Sequence, residues 1–395
     1  MKLPDSGHGL EDVEANQDFL DVDSTRDEVS SLASKLIEDS EGKEEVLRRL
    51  RRDPGGILRD FDFYRDLPYS DDLLRVAVKE SLLKDPKAAV IFYREYSDKP
   101  YARQTLEVVA EEEPRLIMFH REAYSFSSYA DDILEWAFYN AVTRDPKAVL
   151  EFFDTVEEQA YAEDMLQKAF YNLAETDPKI VFSFAEKYSH FQYLDEVLEI
   201  AVYGALDKEP KAALDFIYLW GDKSYCKDVL TSMSEQAPRL SLFFYKVYSG
   251  YLERDYAEDL LKKVVFRLAE SQPSVIICFH EYYFGREYSE EALMIASKAD
   301  PNTAVEFYYR YSDAEYSRNV LEYILKTDPV LILKNHRFYK DADYSEDLLR
   351  EAAYKVAKKS PEKALQFYSV YKNKAYAKEL RALAEKKLDI FENVA

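Results

Sequence analysis

The sequence predicts an all-α fold, a right-handed-type α-solenoid of about eleven two-helix repeats of 28–35 residues each, behind an N-terminal helical cap. Three observations carry this. Prolines recur at nearly fixed intervals, a tyrosine follows each at a nearly fixed distance, and apolar residues fill the space between in steps of three and four.

Of fourteen prolines, eleven form the series Pro54, Pro86, Pro114, Pro146, Pro178, Pro210, Pro238, Pro273, Pro301, Pro329 and Pro361. Their spacings are 32, 28, 32, 32, 32, 28, 35, 28, 28 and 32 residues, so most differ by four, about one helical turn. A tyrosine stands 15 residues after the proline in ten repeats, at Tyr69, Tyr101, Tyr129, Tyr161, Tyr193, Tyr225, Tyr288, Tyr316, Tyr344 and Tyr376. In the seventh repeat the interval is 18, to Tyr256. The first half of the repeat is thus nearly fixed, and the second varies by whole turns of a second helix that keeps its buried face in register.

The first half opens with Asp-Pro or Glu-Pro in eight repeats, such as Asp85-Pro86 and Asp145-Pro146. An acidic side chain can cap free N–H groups, and proline at the first helical position costs no hydrogen bond. Apolar residues follow at the third, fourth, sixth and tenth positions after proline, written +3, +4, +6 and +10, which places them on one face of a continuous helix. Position +6 is Phe in eight repeats, and +10 is Tyr in nine, with Val156 and Trp220 as the exceptions.

The second half reads Tyr-small-x-x-apolar-Leu. Leucine sits five residues after the tyrosine in ten repeats, and a small residue directly after it lets a neighbouring helix come close. Asp66, Asp98, Asp222, Asp313, Asp341 and Asn373, three residues before the tyrosine, are expected to cap this helix. Paired acids such as Asp131-Asp132 and Glu258-Asp259 fall in its first turn, where the helix dipole stabilises them. In the last repeat the leucine becomes Arg381, the behaviour of a terminal repeat with no neighbour to cover it. The expected organisation is an acidic disordered segment over 1–24, a helical cap over 25–52 and the repeat domain over 53–395.

The Asp-Pro-x-x-Ala start and the aromatic periodicity of residues 53–390 resemble the tetratricopeptide and HEAT-type helical repeat superfamily. The chain departs from that pattern in lacking a helix-packing glycine in the first helix, in a first half one turn too short, and in a second half of variable length. The resemblance is one of architecture, and it implies a scaffold or peptide-binding module.

Nine glycines are few for 395 residues and disfavour phosphate-cradling loops and β-rich folds. A net charge of −23 repels nucleic acid and anionic membranes, and no run of apolar residues is long enough to span a bilayer. Cys226 and Cys278 lie in different repeats inside apolar patterns, as buried reduced thiols do, and the expected location is the cytoplasm. The five histidines are His8, His120, His190, His280 and His336. Three replace aromatics in first helices too far apart to share a metal. We find no HExxH, Gly-x-Ser-x-Gly, P-loop or Cys-x-x-Cys motif, so no catalytic residue, cofactor or metal is expected.

Two features escape the repeat logic. Position +1 is cationic in six consecutive repeats, at Lys87, Arg115, Lys147, Lys179, Lys211 and Arg239, although a cation there opposes the helix dipole. This ladder suits an acidic peptide. Outward positions of the first helix, polar at Glu151, Asp154, Ser183 and Glu186, become apolar in repeats six to ten, at Tyr218, Leu219, Phe243, Val247, Tyr282, Tyr309 and Phe338. If first helices line the concave face, as the resemblance implies, these residues form an aromatic groove for a peptide or partner helix. The expected function is therefore a non-catalytic interaction scaffold with a protein or peptide partner. An accessory or spacer solenoid of a larger enzyme system, such as a cell-wall-acting one, is the alternative.

Overall fold

The computed structural model describes the backbone of residues 42–392 and the side chains of 45–388. The expected disordered segment 1–24, and 25–41 of the expected cap, lie outside the described residues; the cap's last helix is Gly42–Arg52. Nearly all of the described residues are helix, turn or bend, with no strand among them. The chain forms two compact lobes divided between Ala201 and Val202. Within each, helices adjacent in sequence pack in pairs, and second helices also pack on the second helices of neighbouring repeats, as Ala102–Glu112 does on Ala130–Arg144.

Proline opens a helix at all eleven positions. Asp53, Asp85, Asp145, Asp300 and Asp328 each accept a hydrogen bond from a backbone N–H of the turn that follows. The longer side chains of Glu113 and Glu209 make no such bond. Second helices come in fixed lengths. They have 11 residues in 28-residue repeats, as in Ser289–Ala299, and 15 in 32-residue repeats, as in Ser345–Lys359. The 35-residue seventh repeat has 18, Arg254–Ser271. Its extra residues end in Tyr251, whose ring lies where a Cβ on Gly221 would come within 2.4 Å.

The first half differs from the continuous helix that its apolar spacing predicts. In the second repeat the α-helix Pro86–Ile91 stops after six residues, Phe92 closes it, and a 3-10 turn Tyr93–Glu95 follows. Seven repeats bind this break in one way. The +10 ring is buried, and its polar atom donates to the +3 carbonyl: Tyr96 to Ala89 (2.7 Å), Tyr124 to Ile117 (3.0 Å), Tyr283 to Ile276 (3.0 Å), Tyr311 to Ala304 (2.7 Å), Tyr339 to Ile332 (3.0 Å) and Tyr371 to Ala364 (2.8 Å). Trp220, an exception by sequence, makes the same bond through its indole N–H to Ala213 (3.0 Å). A helix end leaves its last carbonyls without intrahelical partners, and this bond satisfies one of them in a buried setting.

All seven of those helices have six residues, as does Pro54–Arg59, where the Tyr64 hydroxyl accepts from Arg49 instead; Pro146–Phe152 has seven, Pro178–Ala185 eight and Pro238–Tyr248 eleven. In the fourth repeat Val156 cannot donate, and Tyr188 of the fifth donates to the adjacent +4 carbonyl, Leu150, at 2.6 Å. The break also re-aims side chains. The +7 residue turns inward, as at Tyr93, Phe153, Ile217, His280 and Tyr308, while the +6 phenylalanines are only half-buried.

Caps on the second helices also differ from expectation. Tyrosine itself occupies the N-cap position, for example Tyr316 and Tyr344, and makes no capping bond. Asp313 and Asp341 sit back in the connecting turns, three residues before the caps they were expected to form. Arg381 is exposed, as a terminal repeat requires.

Replacing Tyr311 by Phe is expected to leave the Ala304 carbonyl buried and unsatisfied, at a cost of about 1–3 kcal/mol. Tyr248→Phe is the control. Its hydroxyl is buried without a hydrogen-bond partner among the described residues, so the change is expected to stay within about 0.5 kcal/mol. Denaturant midpoints of the two variants check the comparison.

Candidate interaction surface

In most repeats the outward side of the first segments is built by the same break: once the α-helix ends at +5, the 3-10 turn directs +8 and +9 to solvent, and the +6 ring lies beside them; in the seventh, Phe243 and Val247 stand on the unbroken helix Pro238–Tyr248. Tyr309 is 59% exposed, Tyr218 51% and Val247 47%, while Leu219, Phe243, Tyr282 and Phe338 are half-buried. Phe216 lies 6.2 Å from Tyr218 and Phe307 5.9 Å from Tyr309, so the +6 phenylalanines join the surface instead of leaving it for the core.

The structure brings part of the predicted set together. Phe243 of the seventh repeat meets Phe279 (4.8 Å between ring centres) and Tyr282 (5.4 Å) of the eighth. The Arg239 guanidinium lies 5.5 Å from the centre of the Phe243 ring. Arg310 of the ninth repeat pairs with Glu281 of the eighth (3.8 Å) and sits 5.2 Å from the centre of the Tyr309 ring. Arg239, Phe243, Tyr282, Arg310 and Tyr309 thus form one stripe across three repeats, all within the C-terminal lobe. Phe338 stands beside Arg337 at 4.5 Å, and no ring contact joins it to Tyr309 among the described residues.

The cationic ladder does not act as one set. Four of its members belong to the N-terminal lobe and two to the C-terminal lobe. Arg115 is paired with Asp145 (3.1 Å) and with Glu151. Lys147 also reaches Glu151 (3.4 Å), and Lys211 pairs with Asp215 (3.7 Å). Lys87 and Lys179 are exposed. Exposed apolar rings are also not confined to repeats six to ten. Phe63 is 84% exposed and Phe119 68%, and Phe119 lies 6.3 Å from Phe152 much as Phe243 lies near Phe279. The signal for Phe119 was present in the sequence, since it occupies the same +5 position as Phe243.

Titratable groups in the first segments are tied into packing. His280 is buried, and its Nε2 lies 2.6 Å from the Tyr316 hydroxyl of the next repeat. Tyr93 with Tyr129, and Tyr308 with Tyr344, make the equivalent contact, so His280 stands where other repeats place a tyrosine. Burial lowers the His280 pKa to about 4. Burial also lowers His120, with Lys87 adding to the effect, and His336, with Lys374 adding to it. Burial raises the Glu258 carboxyl, but hydrogen bonds from Tyr245 (2.6 Å) and Arg286 (2.9 Å) outweigh it, and its pKa falls below the usual value. Burial pushes the Cys226 thiol up to about 11, which disfavours the reactive thiolate. No group of three or more His, Cys, Asp or Glu among the described residues could hold a metal ion, and no described helix is long and apolar enough to cross a membrane.

No family model, curated protein or solved structure matches the chain.

The buried neutral His280 makes stability depend on pH. Its folded pKa of about 4 lies below the ordinary value of 6.5, so the unfolded chain takes up the proton first as pH falls. Its contribution is fully present above about pH 6.5 and is lost progressively down to about pH 4, amounting to on the order of 3 kcal/mol. His280→Tyr preserves the hydroxyl contact to Tyr316 found in sister repeats. Its stability difference from wild type is expected to shift towards the variant between pH 7 and pH 4, measured by urea melts at several pH values.

Proposed function

We propose that this chain is a non-catalytic protein-interaction scaffold of the right-handed α-solenoid type, related in architecture to tetratricopeptide and HEAT arrays. It binds a peptide or a partner helix along the side formed by its first segments, concave in arrays of that kind. The cluster of Phe243, Phe279 and Tyr282 with exposed Tyr309 beside it carries this reading. Rings grouped at a surface offer large apolar area at low entropic cost, which is what an anchoring site for a partner segment needs. Position matters as much as area. Phe279, Tyr282 and Tyr309 project from the turns where their repeats interrupt the first helix, and Phe243 comes to them from the unbroken helix Pro238–Tyr248.

The same reading places the protein in the cytoplasm, where the raised pKa of Cys226 and the separation of the two cysteines in different repeats suit reduced thiols.

Tyr282→Asp and Tyr309→Asp test it. Each is expected to weaken capture of the partner by at least about ten-fold, a hot-spot loss, while the thermal midpoint stays within a few degrees of wild type. Quantitative mass spectrometry of captures by wild type and both variants measures the ratio. A partner retained equally by all three proteins means that the ring surface is not the site.

A further inference from the structure

The charge pattern of the first segments separates the two lobes. The outward positions are +1, +5, +8 and +9, the set that meets across repeats in the contacts of Phe243, Tyr282, Glu281 and Arg310. In repeats one to five these positions are close to balanced, and several of their charges pair with one another. Arg115 and Lys147 share Glu151, and Lys187 pairs with Asp154 at 2.7 Å. In repeats six to ten the same positions hold six exposed cations, Lys211, Arg239, Lys246, Arg310, Lys334 and Arg337. Only three carboxylates accompany them, Asp215, Glu281 and Glu306. Two of those are committed, Asp215 to Lys211 and Glu281 to Arg310. Arg239, Lys246, Lys334 and Arg337 have no carboxylate partner among the described residues, in a chain whose net charge is −23.

Three of these arginines lie against aromatic rings of the surface: Arg239 on Phe243 (5.5 Å), Arg310 on Tyr309 (5.2 Å) and Arg337 on Phe338 (4.5 Å). An arginine beside a ring keeps its N–H groups free while its flat face is held. It is thereby oriented to receive a carboxylate next to the place where a partner's apolar side chain would rest. A charge excess of this sign, on the apolar face of an otherwise strongly acidic protein, selects its occupant by complementarity.

We propose that the C-terminal lobe binds an acidic segment of a partner protein in which Asp or Glu alternate with Phe, Leu or other large apolar residues. The apolar side chains seat against Phe243, Phe279, Tyr282 and Tyr309, and the carboxylates pair with Arg239 and Arg337, while Arg310, already facing Glu281, adds to the local positive charge. The inference rests on the interaction reading above and adds the chemical class of the partner.

Three labelled peptides with the same Phe and Leu positions test it, the intervening residues being Glu/Asp, Lys or Ser. Each is titrated by fluorescence anisotropy against the full chain, the double variant Arg239→Glu/Arg310→Glu and the ring variant Tyr309→Asp. Circular dichroism confirms that the helical content is unchanged. The acidic peptide is expected to bind best, to weaken by about ten-fold or more on charge reversal, and to weaken with added salt as screening shortens the reach of the charges. Equal or tighter binding of the Lys or Ser peptide, with loss in Tyr309→Asp, overturns the acidic specificity and leaves the interaction reading standing. Binding of the acidic peptide that survives in Tyr309→Asp overturns the ring surface itself. No binding by the acidic peptide overturns the proposal.

Discussion

The hydrogen bond from the +10 side chain to the +3 carbonyl is the constraint on which the repeat depends. A six-residue helix has almost no stability of its own, because nucleation costs several residues of ordering for very few bonds. It also ends with carbonyls that must find partners when buried. A buried tyrosine that donates back to the +3 carbonyl supplies such a partner. Seven repeats make this bond and have six-residue helices, while Tyr248, with no partner among the described residues, sits at the end of an eleven-residue one; Pro54–Arg59 stops after six residues with the Tyr64 hydroxyl turned to Arg49, so the bond accompanies the early stop and is not its sole cause. Trp220 makes the same bond with a different donor, so the residue type is secondary to the satisfied carbonyl.

Stopping the helix at that point has consequences for the neighbours. With +7 turned inward, its polar atom meets the tyrosine that begins the second helix of the following repeat. The separation is 36 residues in Tyr93–Tyr129, His280–Tyr316 and Tyr308–Tyr344 alike. All three pairs span an eleven-residue second helix.

The sequence shows the repeat period, the proline starts, the acidic caps and the two helix lengths plainly, because each rests on local chemistry or on whole-turn arithmetic. The break in the first segment is hidden for a physical reason. Apolar residues at +3, +4, +6 and +10 read as one face of an unbroken helix, and the mixed residues at +7 do not contradict it. Only the hydrogen bond distinguishes the two, and tyrosine in a helical stripe reads first as bulk. His280 was legible as a substituted aromatic, but its hydroxyl partner, 36 residues on, was not. The pairing of the cationic ladder is hidden in the same way. It recurs in register, yet the carboxylate that binds Arg115 lies in the next repeat at Glu151, a pairing that no local pattern announces.

Charge in this protein divides according to what each segment needs in order to fold. The acid pairs of the second helices, such as Asp131-Asp132 and Glu346-Asp347, lie in first turns where the helix dipole favours them, and they account for much of the negative charge. The first segments make no such demand. Their helices are short, and Asp85 and Asp145 already satisfy N-terminal N–H groups beside Lys87 and Lys147. A cation at +1, +8 or +9 therefore costs folding little and contributes little to it. Near-balance with cross-pairing in one lobe and cation excess in the other lies outside what the fold requires. Residues released from the demands of folding are the ones whose identity can answer to something outside the chain.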